Sequence, residues 1–182
     1  MLTNCNTNNN VKIICFVGTN DIFDYKNIFT YGSVNWNDKA KIYRGFKNSF
    51  DNIEKSIKKI SSEVKNERIW LIGQSLGGVL AVLASFYFKN LEITVFGVPK
   101  IGDENFVNHL KKKEIYHFML ENDFINSLPF NNKKFKVVDS KKIPAKLSNN
   151  RTCPAKLYAH APINYSENIK LSRGNDIYKN IK

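Results

Sequence analysis

Ile69-Trp70-Leu71-Ile72-Gly73-Gln74-Ser75-Leu76-Gly77-Gly78 is the stretch from which the architecture of this chain can be read. A short apolar run stops at a glycine, a serine follows two residues later, and two more glycines lead into the apolar segment Val79 to Phe88. Ile69 to Ile72 has the length and bulk of a buried parallel strand, and the segment after Gly77 has the length of a helix. A serine between them sits on a very tight strand-to-helix turn, the pattern of a nucleophile elbow. Such a turn forces the serine backbone into a strained region. It also brings helix and strand so close that the residues two before and two after the serine must lack side chains, which Gly73 and Gly77 satisfy. The hydroxyl of Ser75 is then lifted above the sheet, and the helix N-terminus points at whatever negative charge develops there.

The remaining composition narrows the class. A chain of 182 residues with 42% apolar content fits one domain with a substantial core; the reading is a polar, Asn-rich tail over residues 1–10 and a single domain over 11–182. No apolar run is long enough for a transmembrane helix, and the first ten residues lack the apolar stretch of a secretory signal. Cys5, Cys15 and Cys153 are odd in number and widely spaced, so they read as free thiols in a reducing compartment. Together these features predict an intracellular, cytoplasmic protein. The net charge of +12 has two readings: attraction to an anionic surface such as acidic phospholipid, or the drift of a composition rich in Lys, Asn and Ile. No arginine-rich tract or recognition motif supports a nucleic-acid partner. No cluster of His, Cys or carboxylates has metal-ligand spacing, so neither a metal nor another cofactor is expected.

Strands are expected at Val11 to Val17, Ile69 to Ile72, Leu91 to Phe96 and Ile115 to Leu120, with short or weak ones at Lys41 to Tyr43 and Lys136 to Val138. Phe46, Phe50, Ile53, Ile57, Ile60 and Val64 step by four and three, one face of an amphipathic helix about five turns long. Asp103 to Lys112 reads as a further helix, residues 140–153 as irregular, and the end from Ala161 as a surface helix. Alternating strands and helices predict a mostly parallel sheet, whose site lies at the carboxyl ends of the strands. Thr19, Ser75, Lys100 and Asp123 come just after expected strands.

A serine nucleophile needs a base, and the base needs a carboxylate to hold its tautomer. Of the three histidines, His109 falls in a helix as a solvated residue and His117 within a strand as a satisfied sheet residue. His160 comes late, on a loop pinned by Pro162, and leaves room for a preceding acid in the order serine, acid, histidine. Asp123 follows a strand among apolar neighbours that would bury it. An Asx turn is the plainer role for that residue. Asp103 is the second choice but suits a helix cap, and Glu121 could substitute locally. The oxyanion hole needs two backbone N–H donors: Leu76, just after the serine, and Thr19, at the end of the first strand, where a hydroxyl can add to the N–H.

With these residues in place, the chain resembles the class 3 lipases, the fungal-lipase-like branch of the α/β-hydrolases, over about Val11 to Tyr165. Phe16-Val17-Gly18-Thr19 is similar to the family's F-R-G-S/T strand end, and Tyr43-Arg44-Gly45-Phe46 to the segment leading into its long helix. Gly73-Gln74-Ser75-Leu76-Gly77-Gly78 is similar to G-H-S-L-G-G, and Val95-Phe96-Gly97-Val98-Pro99-Lys100-Ile101-Gly102 to T-F-G-x-P-R-V-G. Asn122-Asp123 with Leu128-Pro129 is similar to N-x-x-D-x-V-x-x-L-P, and His160 with Tyr165 to H-x-x-x-x-Y. The resemblance implies an α/β-hydrolase fold with helices on both faces of the sheet. It also implies a Ser75–Asp123–His160 triad with Thr19 and Leu76 as oxyanion donors.

Four positions depart from the family pattern. Val17 stands where an Arg is usual. Gln74 replaces a His at a position expected to do no chemistry, and Tyr43-Arg44 replaces Val-His. The ten residues before the first strand make this an N-terminally trimmed core with one sheet edge exposed or paired with another chain. The family's lid falls on Ile22, Phe23, Tyr25, Ile28 and Phe29, which either open against acyl chains at an interface or stay packed as a core loop.

The activity expected is hydrolysis of fatty-acyl esters of glycerolipids through an acyl-enzyme, with a lipid ester as partner and transient contact with an anionic lipid surface. The alternatives are a short-chain or aromatic esterase of the same fold and a non-catalytic domain that binds lipid or protein.

Overall fold

A computed structural model of the chain describes residues 2–6, 11–18, 32–120, 123–128, 134–138, 141–143, 160–162 and 164–166. The elements run β1 (Leu2–Asn6), β2 (Val11–Phe16), β3 (Ser33–Asn35), β4 (Lys41–Tyr43), α1 (Arg44–Glu63), β5 (Arg68–Gln74) and α2 (Leu76–Ala84). They continue with β6 (Leu91–Phe96), β7 (Gly102–Asp103), α3 (Glu104–Leu110), β8 (Ile115–Leu120), β9 (Phe135–Lys136) and β10 (Lys141–Ile143). Short 3-10 turns follow α2 and β8, at Ser85–Tyr87 and Phe124–Ser127.

The main sheet has the order β1-β2-β5-β6-β8-β10. Its five strands from β2 onward are parallel, and β1 is antiparallel to β2. Strand β5 lies inside this sheet. Ile69, Leu71 and Gly73 are buried on one of its faces, and Trp70, Ile72 and Gln74 lie half-buried on the other, as the two-residue repeat of a strand requires. The first face carries α2, which has no polar side chain between Leu76 and Ala84 and buries every residue except Leu80. A helix apolar all round has to be enclosed, and α2 is enclosed by β2, β5 and β6 on one side and α1 on the other. Helix α1 turns Phe46, Phe50 and Ile57 inward and leaves Lys55, Lys58 and Lys59 in solvent.

A second, antiparallel sheet of order β3-β4-β7-β9 flanks the first. Trp36 ties it to the helices. Its ring meets Phe50, Phe86 and Phe106 with centroids 5.8, 5.2 and 6.0 Å apart, within the range of favourable aromatic pairs.

Two expectations are corrected. Residues 1–10 are not simply a tail, because Leu2–Asn6 form β1 in register with β2, from Leu2 opposite Phe16 to Asn6 opposite Lys12. An edge strand is held by main-chain hydrogen bonds, and these make no demand on side-chain polarity. This strand also pairs with the edge of β2, where an edge exposed or paired with another chain was expected. The stretch expected to be irregular at 140–153 contains β10, parallel to β8 from Lys141 opposite Phe118 to Ile143 opposite Leu120. A strand of three residues offers too little apolar alternation to be seen in sequence.

Phe50 is fully buried between Trp36 and Tyr87. Phe50→Ala is expected to destabilise the fold by about 3–5 kcal/mol, measured by denaturant unfolding followed through tryptophan fluorescence.

Candidate active site

The turn between β5 and α2 is as tight as its glycines allow. A Cβ on Gly73 would lie 2.3 Å from the Gly77 carbonyl oxygen, and one on Gly77 would lie 2.2 Å from that of Phe16. Main chain therefore rests directly on main chain, and any side chain at either position would drive helix and sheet apart. Ser75 absorbs the reversal with φ 56° and ψ −125°, and among the described residues no other non-glycine has positive φ. A backbone of this kind costs about 1–3 kcal/mol. It is held by the Ser75 N–H donating to the Phe96 carbonyl at 3.0 Å and by the Val79 N–H donating to the Ser75 carbonyl at 3.1 Å. The N–H of Leu76, the first residue of α2, has no intrahelical acceptor by helix geometry and stands at the positive end of the helix. Gly18, at the end of β2, closes against the elbow: a Cβ there would be 2.9 Å from the Gln74 carbonyl oxygen and 3.7 Å from the Ser75 Cβ.

Asp123 lies just beyond β8 and is 3% exposed. Its two oxygens are divided between two tasks. Oδ1 accepts the Ile125 N–H at 2.9 Å and caps the 3-10 turn. Oδ2 accepts from His160 Nδ1 at 2.7 Å and from the Tyr165 hydroxyl at 2.6 Å. One carboxylate thus makes the Asx turn and holds the His160 ring. Burial, reinforced by the neighbouring Asp123 charge and the hydrogen bond to it, drives the Tyr165 hydroxyl far above the usual tyrosine range, so it remains a donor at every working pH. A proton on His160 Nδ1 directed at Asp123 leaves Nε2 as the basic nitrogen, the tautomer a general base needs.

The segment carrying His160 is fastened by more than its ring. Gln74 Nε2 donates to the His160 carbonyl at 2.8 Å. Phe124 meets the imidazole edge to face with centroids 5.9 Å apart, and Tyr165 packs on Phe96 at 6.0 Å.

The other candidates have different employments. Asp103 caps α3, its Oδ1 accepting the Phe106 N–H at 2.9 Å. His109 is exposed, with Nδ1 2.7 Å from the Asn105 carbonyl one turn back. Lys100 ties the loop after β6 to the turn after Asp123, its N–H donating to the Leu128 carbonyl at 3.0 Å. Thr19, Glu121 and the lid positions Ile22, Phe23, Tyr25, Ile28 and Phe29 lie outside the described residues. Among the described residues, no three His, Cys, Asp or Glu side chains gather as a metal site would require.

His117 is fully buried and stands behind the acid. Its Nε2 accepts the Val98 N–H at 3.1 Å, and its Nδ1 lies 3.4 Å from the Val138 carbonyl. It thereby anchors the loop in which Gly97 adopts φ 53°. A side chain on Gly97 would strike the Tyr165 hydroxyl and Asp123 Oδ2, at 2.5 and 2.9 Å. The strand position of His117 was visible in sequence. Its grip on this loop was not, because the partner is a main-chain group of another element.

A mostly parallel sheet with a strained serine at the strand-to-helix turn, and a histidine segment bonded to the residue before it, is the architecture of an α/β-hydrolase. The family model for Lipase (class 3) matches residues 13–133, about two thirds of the sequence, and the chain belongs to that family. The structure resembles a Rhizomucor miehei lipase–propeptide complex, with TM-score 0.65 and 21% identity over 74% of this chain and 49% of that one. It resembles a mutant form of MDLA from Penicillium cyclopium, with TM-score 0.66 and 17% identity over 81% and 59%. A third likeness is to a triacylglycerol lipase whose catalytic centre is described as a serine protease triad, with TM-score 0.64 and 20% identity over 74% and 57%. The chain thus spans about half to three fifths of the length of these structures. No curated protein sequence matches it.

Burial lowers the His117 pKa to about 4, against an ordinary value of 6.5. The unfolded chain takes up this proton below about pH 6.5, whereas the folded chain resists it until about pH 4. Stability should therefore be complete above the upper value and fall by on the order of 3 kcal/mol across this window. Urea unfolding from pH 7.5 to 4 should show this loss, and His117→Gln should remove the part of the slope that belongs to the imidazole.

Proposed function

We propose that this chain is a serine carboxylic-ester hydrolase acting on fatty-acyl esters of glycerolipids. The observation that carries the reading is the buried Asp123 carboxylate holding His160 Nδ1 at 2.7 Å, on a segment whose main chain is bonded to the residue just before Ser75. In this reading Ser75 attacks the ester carbonyl, and His160 Nε2 takes the hydroxyl proton and passes it to the departing alcohol. Asp123 orients the ring and balances the imidazolium charge. The tetrahedral oxyanion is received by the N–H groups of Leu76, at the helix end, and Thr19. Water, deprotonated by the same histidine, then releases the fatty acid from the acyl-enzyme.

Membership of a lipase family supports an acyl-ester substrate, as does likeness to a triacylglycerol lipase with a serine protease triad. The net charge of +12 supports docking on anionic lipid, where apolar positions between Ile22 and Phe29 would meet acyl chains. No helix among the described residues is long and apolar enough to cross a membrane.

Labelling the intact protein with a fluorophosphonate and mapping the adduct is expected to find it on Ser75. Ser75→Ala and His160→Ala should each lower kcat by about 10³-fold or more. Asp123→Asn should be severe and Asp103→Asn mild, since an Asn side-chain oxygen still caps α3. Turnover at the wild-type rate by Ser75→Ala would overturn the proposal. A rate that rises when the substrate forms droplets or vesicles marks a lipase, and a flat rate on short esters marks an esterase.

A further inference from the structure

Three residues of the main sheet stand in one cross-strand row at the carboxyl ends of neighbouring strands: Gln74 on β5, Phe96 on β6 and Phe118 on β8. Gln74 is paired with Phe96, and Phe96 with Phe118. Residues in register on adjacent parallel strands project to the same face, and this face is opposite α2, because Gly73 is the residue that abuts the helix. The segment bearing His160 and Tyr165 lies against this row. Phe96 stacks on Phe118 at 5.4 Å and meets the Tyr165 ring edge to face, and Gln74 donates its amide proton to the His160 carbonyl at 2.8 Å.

The ring end of His160 and the hydroxyl of Tyr165 converge on a single atom, Asp123 Oδ2. A hydrogen bond to one atom fixes a distance but lets the donor swing about it. The main chain of residue 160 therefore needs a second hold at a different point. The Gln74 amide supplies one such hold from the base of the elbow, 86 residues away in sequence. Gln74 belongs to the same main-chain turn as Ser75, whose N–H is bonded to the Phe96 carbonyl. The tether thus ties the histidine segment to the frame that fixes the serine.

We propose that Gln74 is a positioning residue for the reaction: its side-chain amide sets the placement of the His160 main chain, and through it the imidazole, relative to Ser75. The inference rests on the Ser75–Asp123–His160 reading above and assigns a role to the pentad position that sequence alone left without chemistry. The residue touches no substrate. Its effect comes through geometry, and a misplacement of about 1 Å at a reacting group can cost on the order of a hundredfold in rate.

The test compares Gln74→Met, which keeps the length and removes the donor, with Gln74→Glu, which keeps the shape and turns a carboxylate oxygen toward the His160 carbonyl. At pH 8 with a soluble short-chain ester, kcat is expected to fall ten- to a hundredfold in the Met variant and at least as far in the Glu variant. KM should stay within about twofold, because the ester's own contacts are untouched. Fluorophosphonate labelling of Ser75 should slow in parallel. Thermal melting identifies any variant that has lost the fold, and the remaining variant then carries the comparison.

Wild-type kcat in a folded Gln74→Met or Gln74→Glu protein overturns the proposal. So does a loss confined to KM or to melting temperature. Failure of the underlying reading looks different: wild-type protein would then not be labelled at Ser75, whatever residue stands at 74.

Discussion

The contact of main chain with main chain where α2 leaves β5 is the constraint on which the rest depends. Gly73 on the strand and Gly77 on the helix bring the two backbones within the distance that one methyl group would occupy. That approach forces Ser75 into positive φ and aims the first N–H groups of α2 at the space above the sheet. It also explains why α2 carries no polar side chain. A helix pressed this closely on three strands, with α1 behind it, leaves only Leu80 partly open to water. The strain of about 1–3 kcal/mol at Ser75 is offset locally by hydrogen bonds to Phe96 and Val79.

The polar half of the site is organised around the Asp123 carboxylate. Burying an ion without partners is costly, whereas burying one among directed donors is tolerated. Ile125, His160 and Tyr165 supply three such donors. Behind the carboxylate, Gly97 has no side chain because none would fit, and His117 holds the adjoining Val98 N–H. Serine and acid are thus each built from a glycine-permitted close approach, one on either side of Phe96, whose carbonyl serves the elbow and whose ring supports Tyr165.

Sequence made the main frame legible. The apolar runs that became β2, β5, β6 and β8, the stepped face of α1 and the glycine pattern of the elbow all carry period or composition that side-chain burial demands. Asp103 was recognisable as a cap and His117 as an interior strand residue for the same reason. Strands β1 and β10 were not visible, because edge pairing is specified by backbone groups present in every residue. The proximity of His160 to Asp123 was inferred from chain order and resemblance. Long-range contacts of this kind leave no periodic trace. The grip of Gln74 on His160 lies deeper still, since one partner is a carbonyl and the other stands at a position where the family pattern implies no chemistry.

Among the described residues, the histidine segment meets the body through side-chain hydrogen bonds and aromatic edges, whereas the strand before the serine is paired with its neighbours along its whole length. Segments anchored in the first way open at lower free energy than those anchored in the second. Amides near residues 160–166 would then exchange with deuterated solvent well before those of β5. Mild denaturant would then loosen this segment while the tryptophans still report an intact interior.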